Sequence, residues 1–271
     1  MSGRRQFRRA GNREISLGFA NSTTRFSRRV ESYRLHRPGY PPEIVDLLAK
    51  ECGLAENSLV ADIAAGTGLL TGIFLARGFE VIAIEPNREM RETCATLTAQ
   101  FSRLRCIDRT AEATGLVDQS VDLITVGQAM HWFDLTRTRR EFVRILKPGG
   151  WCAVLYNNRR MFGDRLHEGY EEILVEFGSD YEKVKHSHMT EETLAAFFAP
   201  NAMRSSRFEN SQQLTLDGLM GRILSSSYMP QMGHSRFDEM SGSVAELFAA
   251  HESDGRVRMV YDCVVCYGQL S

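Results

Sequence analysis

The sequence predicts an α/β protein: an open, doubly wound, mostly parallel sheet joined to a largely helical insertion. Two observations carry that expectation. Strand and helix signals alternate through the first 160 residues, at the spacing of right-handed βαβ units. After Asn158 the alternation gives way to amphipathic helical stretches, before an apolar run over 257–267 reads as a strand returning to the sheet.

Pro41-Pro42 opens the first of these elements, a helix with Ile44, Val45, Leu48 and Ala49 on its inner face, and Gly53 ends it. Ser58-Leu59-Val60-Ala61-Asp62-Ile63 is a short apolar run ending at small residues, a buried strand. A helix over 69–76 follows, stopped by Gly78. Val81-Ile82-Ala83-Ile84-Glu85 is the next strand, and Pro86-Asn87 starts the helix that holds Met90 and Cys94. A weak strand covers 105–107 and a stronger one 121–126. The helix over 135–146 ends at Lys147-Pro148-Gly149-Gly150, a stop signal and turn before a strand over 151–156. Leu166, Tyr170, Ile173, Leu174 and Phe177 then recur at helical spacing, and 190–198 and 241–251 read as further helices.

Composition narrows the function classes. Of 271 residues, 43% are hydrophobic and 25% charged, ordinary for a soluble protein. A net charge of −1 gives no overall pull toward nucleic acid or an anionic membrane. No apolar run approaches the roughly 18 residues that a membrane span requires. The first thirty residues hold eight arginines and one acid, Glu14, with no apolar core after them, so a solvated basic tail is expected rather than a secretory signal. The Cys263-Val-Val-Cys266 pair lies on a predicted strand, where a spacing of three points the side chains to opposite faces, so no metal framework is read there. The six cysteines are expected to be reduced thiols in a cytoplasmic protein. His186-Ser187-His188 lacks a carboxylate or cysteine at helpful spacing and reads as a pair of loop histidines.

The chemistry concentrates at Asp62-Ile63-Ala64-Ala65-Gly66-Thr67-Gly68, where a strand ends, a Gly-x-Gly turn follows and a helix begins. Gly66 and Gly68 remove the Cβ atoms that would hold a ligand off the backbone. Such a loop sits at the carboxyl ends of the strands, where open α/β sheets bind ligands. Glu85, at the end of the second strand, is placed to accept hydrogen bonds from the ribose of a nucleoside. Thr71 stands where a dinucleotide fingerprint has its third glycine, and Asp62 is acidic where that fingerprint is apolar. Both count against a diphosphate cofactor.

These residues resemble the motifs of class I S-adenosylmethionine methyltransferases. The Asp62–Gly68 stretch is similar to their first motif, Glu85-Pro86-Asn87-x-x-Met90 to their acidic loop, and Ala111-Glu112 to their adenine-side loop. Ser120-Val121-Asp122-Leu123-Ile124 resembles their fourth strand and Lys147-Pro148-Gly149-Gly150 the turn before the fifth. Tyr33 to Pro41, Gln128 to Phe133 and Ser225 to Tyr228 look like a small-molecule subgroup similar to trans-aconitate methyltransferases.

The resemblance implies a seven-stranded, Rossmann-like sheet with S-adenosyl-L-methionine as cofactor. It implies that Asp62 orders the glycine loop and approaches the methionine amino group, while Ala64, Gly66 and Gly68 offer backbone to the methionine part. Glu85, with Pro86 beside it, would hold the ribose, Met90 would pack on the adenine, Ala111 and Glu112 would meet the adenine edge, and Gln128 would line the sulfonium. His131 is the candidate general base, against a reading in which it caps the following helix or packs beside Trp132. Arg37, Tyr40, Trp132, Arg222 and Tyr228 are the acceptor candidates, the arginines suiting an organic acid. No metal, nucleic-acid or membrane partner is expected, and the chain would act as a monomer or homodimer. The expected organisation is a basic tail over 1–25, a cofactor domain over 26–158, a largely helical lid with one returning strand over 159–250, and a final strand over 251–271. A cofactor-binding protein without turnover and, less favoured, a dinucleotide-dependent oxidoreductase are the alternatives.

Overall fold

The computed structural model describes residues 35–181 and 189–271. The basic tail, Tyr33 and the histidines at 186 and 188 lie outside the described residues. Seven strands form one sheet: β1 (Leu59–Ile63), β2 (Glu80–Ile84), β3 (Leu104–Ile107), β4 (Val121–Gly127), β5 (Leu146–Arg159), β6 (Arg204–Leu214) and β7 (Val257–Gln269). Their order is β3-β2-β1-β4-β5-β7-β6; the first five run parallel, and β7 is antiparallel to both its neighbours. The direction of winding reverses between β1 and β4, which opens a crevice beyond their carboxyl ends.

The helices are α1 (Glu43–Cys52), α2 (Leu69–Ala76), α3 (Arg88–Ala95), α4 (Leu135–Ile145), α5 (Arg165–Phe177), α6 (Glu191–Phe198), α7 (Leu216–Leu224) and α8 (Phe237–His251). Their starts are written in the sequence: the side chains of Asn87, Asp134, Asp164, Thr190 and Thr215 each accept from a backbone N–H of the first turn. Gly53, in the left-handed region, ends α1 as expected.

Apolar packing covers both faces of the sheet. Ile63, Ile124, Val126 and Val154 meet Phe142 of α4 and Phe198 of α6 on one face; Val60, Leu123 and Leu155 meet Ile44 and Leu48 of α1 and Phe74 of α2 on the other. Cys263 and Cys266 fall in these two opposite layers, as their spacing requires, and all six cysteines are free. A third core joins Tyr170 and Leu174 of α5 to Leu219 and Ile223 of α7, Val244 of α8 and Tyr261 of β7. Among the described residues no helix is long and apolar enough to cross a membrane.

Two elements differ from expectation, and a third could not be placed in advance. The turn at Lys147–Gly150 interrupts β5 rather than preceding it: pairing with β4 begins at Val121↔Leu146 and resumes at Leu123↔Trp151. Helix α8 starts at Phe237, earlier than the expected start at 241. Strand β6 carries a polar sequence with little apolar alternation, because it is the edge of the sheet and holds its conformation by pairing with β7 along its whole length.

Candidate active site

Beyond β1 the chain turns sharply into α2. Ala64 has φ 54°, a left-handed conformation that costs a side-chain-bearing residue roughly 1–2 kcal/mol, and Gln128, just after neighbouring β4, has φ 59°. Strain at two adjacent strand ends marks the crevice. The two glycines of the turn do different jobs. At Gly66 (φ 58°) an added Cβ would reach nothing nearer than the Met90 sulfur at 4.0 Å, which leaves the backbone open to a ligand. At Gly68 (φ 87°) it would fall 2.8 Å from Leu97 Cδ1 and 2.9 Å from Cys94 Sγ. Gly68 therefore lets α3 and the turn after it close against the loop, and it is not part of the cavity wall.

Asp62 is almost fully buried beneath this turn. Thr71 Oγ1 donates to its Oδ2 at 2.5 Å and Thr125 Oγ1 to its Oδ1 at 2.9 Å. Thr71, which stands where a dinucleotide fold has glycine, thus supplies a hydrogen bond that fixes the acid. Burial, only partly offset by these hydroxyls, pushes the Asp62 carboxyl up to about 6. Because that value lies above the ordinary 3.8, the native chain binds the extra proton between the two. Stability from this group is fully present below pH 3.8 and lost as pH rises through 6. The stability of the wild type relative to Asp62→Asn should therefore fall as pH is raised across that window in urea titrations; a pH-independent difference would contradict it.

The Glu85 carboxylate is turned onto the same loop. Gly66 N–H donates to Oε2 at 2.9 Å and Asn87 N–H to Oε1 at 2.8 Å. Burial raises its pKa, and these two amides oppose the rise. Met90 is buried with its sulfur beside Gly66, and Ala111 lies in the core under β4. Glu112 accepts from the Asp134 N–H at 3.1 Å.

A cavity of about 990 Å³ opens at the crevice, at the upper end of the range for ligand pockets. Its wall includes Arg37, Tyr40, Asp62, Ala64, Gly66, Gln128, His131, Trp132, Arg222 and Tyr228. Gly68, Glu85, Pro86, Met90, Ala111 and Glu112 are not on it. Every acceptor candidate therefore meets the glycine loop in one space, although these residues span nearly 200 positions of the chain. His131 packs beside Trp132 with ring centroids 4.7 Å apart and the rings tilted by 45°, while the cap of α4 is Asp134. Arg37 both lines the cavity and donates to the Ser225 carbonyl at 3.3 Å.

Sequence reasoning missed several wall residues. Tyr156, Tyr170 and Thr67 carry buried hydroxyls without a hydrogen-bond partner, and all three residues belong to the cavity wall. In the sequence Tyr170 reads as part of an apolar stripe, and its hydroxyl within that stripe is the available signal.

Residues 61–154 match the methyltransferase domain family. An uncharacterized methyltransferase of Mycobacterium tuberculosis is 37% identical over 147 residues, 54% of this chain and 55% of its own. The chain thus spans about half the length of the first such relatives. The uncharacterized methyltransferase YcgJ of Bacillus subtilis is 25% identical over 197 residues, covering 71% of this chain and 74% of its own. Among solved structures, a proposed type II methyltransferase from Anaeromyxobacter dehalogenans superposes with a TM-score of 0.66 at 21% identity, covering 86% of this chain and 98% of its own. Crystalline YcgJ gives 0.54 at 19%, covering 83% and 97%. The fold is the Rossmann-like methyltransferase fold.

The site has the donors and acceptors that S-adenosylmethionine requires. A buried carboxylate at Asp62 suits an ammonium group, Glu85 has lone pairs left for hydroxyls, and Thr67 offers an unpaired hydroxyl at the glycine loop.

Proposed function

We propose that this protein is an S-adenosylmethionine-dependent methyltransferase acting on a small organic acid. The observation that carries the reading is the construction of the glycine loop, pinned from below by Asp62 and from the side by Glu85 where it opens onto the cavity. Asp62 would hold the methionine ammonium and Glu85 the ribose hydroxyls. Met90, Ala111 and Glu112 would bound the adenine, and Gln128 the space around the sulfur. The bound cofactor supplies a methyl group made electrophilic by its sulfonium charge.

The chain's own contribution is positioning. Arg37, Tyr40, Trp132, Arg222 and Tyr228 would hold the acceptor so that its nucleophile lies in line with the bond to be broken. Such alignment is worth about 7–11 kcal/mol in favourable cases. His131 takes the proton where the nucleophile carries one at neutral pH. Use of Thr71 to fix Asp62 favours this reading over a dinucleotide oxidoreductase.

Calorimetric titration tests the assignment. S-adenosylmethionine and S-adenosylhomocysteine should bind at micromolar concentrations and NADH should not; binding of NADH alone would overturn the proposal. Methyl transfer from labelled S-adenosylmethionine to organic acids then separates an enzyme from a protein that only binds the cofactor.

A further inference from the structure

Two arginines on the cavity wall are almost completely buried, and the fold treats them differently. Arg159 of β5 forms a close ion pair with Glu171 of α5, its guanidinium carbon lies 4.6 Å from the centre of the Tyr170 ring, and the Tyr181 hydroxyl donates to the same carboxylate at 2.7 Å. Its charge is answered within the protein.

Arg222 of α7 has no such answer. It is 9% exposed, and its one hydrogen bond runs from Nε to the Tyr261 hydroxyl at 3.3 Å. Tyr261 is itself committed, donating to Gln212 Oε1 at 2.8 Å, so it orients the guanidinium without bringing negative charge. No carboxylate among the described residues pairs with Arg222. Tyr170, on the same cavity wall as Arg222 and in the core that α7 packs into, is fully buried with a hydroxyl that has no hydrogen-bond partner. A buried cation without a counter-charge and a buried hydroxyl without an acceptor both disfavour the folded state. One ligand group removes both deficits: a carboxylate that accepts from the guanidinium Nη atoms and from the Tyr170 O–H.

We propose that Arg222 and Tyr170 form a receptor for a single carboxylate of the acceptor. This deepens the methyltransferase reading and rests on it for what happens to the acceptor, although not for its capture. The count of one follows from the neighbours. Arg159 is already neutralised by Glu171, and Arg37 is only half-buried and engaged with the Ser225 carbonyl. A second carboxylate at this end gains no buried, uncompensated cation.

The test uses hexanoate, its neutral amide hexanamide and the dicarboxylate adipate, titrated into the protein with and without S-adenosylhomocysteine. Hexanoate should bind at least tenfold more tightly than hexanamide, and adipate no more tightly than hexanoate. Arg222→Met should abolish the preference for the acid, and Tyr170→Phe should reduce it about threefold. Neither should alter binding of hexanamide or S-adenosylhomocysteine. Because Arg222→Met also removes an unpaired buried charge, the ligand-free variant should melt at or above the wild-type temperature. Equal binding of acid and amide, retention of the preference in Arg222→Met, or a variant that melts several degrees lower would each overturn the proposal. Adipate binding tenfold better than hexanoate would overturn the count of one. Failure of the wild type to bind S-adenosylhomocysteine would sink the methyltransferase reading while leaving the comparison of acid and amide intact.

Discussion

Replacing Glu85 by alanine should weaken S-adenosylhomocysteine binding by roughly 10- to 150-fold, the equivalent of about 1.5–3 kcal/mol for a lost charged hydrogen bond. The loss has two sources. In the proposed binding mode the ribose hydroxyls would lose their acceptor, and the Gly66 and Asn87 N–H groups, now held at 2.9 and 2.8 Å, lose theirs as well. The loop that must meet the cofactor is therefore released together with the contact. Glu85→Gln should be intermediate, because an amide keeps one oxygen for one of the two backbone donors and presents an N–H to the other. Calorimetry on the three proteins checks this; a change of less than threefold in Glu85→Ala would remove Glu85 from the cofactor site.

A second large effect is expected at Gly68, on stability. Alanine there must adopt φ 87°, costing roughly 1–2 kcal/mol. Its Cβ would also lie 2.8 Å from Leu97 and 2.9 Å from Cys94, an overpacking penalty of about 1–3 kcal/mol. The sum, about 2–5 kcal/mol, corresponds to a drop in melting temperature of about 2–4 °C per kcal/mol. Gly66→Ala meets only the Met90 sulfur, at 4.0 Å, so it should carry the conformational cost alone. It should nevertheless impair cofactor binding more than its stability change suggests. Equal melting temperatures for the two variants would contradict the division of roles between the glycines.

The central strands could be recognised from the sequence because burial on both faces leaves them as apolar runs, as in Val60–Ile63 and Val121–Val126. Edge strand β6 was expected only as a returning strand somewhere in 159–250 and could not be placed, since its polar residues owe their conformation to pairing with β7 some fifty positions away. The acidic Asp62 and Glu85 stood out by their places at strand ends, yet the direction of the Glu85 carboxylate, toward Gly66, is set by the return of β2 beside β1. Thr71 stood out only as a missing glycine; its bond to Asp62 needs the first turn of α2 to lie directly above β1.

On the acceptor side the division is sharper. Arg37, Tyr40, His131, Trp132, Arg222 and Tyr228 could be singled out one by one, because their chemistry is local to each side chain. Arg222 and Tyr228 join the others around one cavity because the third core packs α5, α7 and α8 together. Sequence alone determined the α/β alternation, the helix caps and the glycine loop, all of which depend on residues a few positions apart. Only the tertiary structure decided that Arg159 is neutralised and Arg222 is not. Whether a buried charge is compensated depends on partners from distant segments and on exclusion of water, and neither is encoded in local spacing.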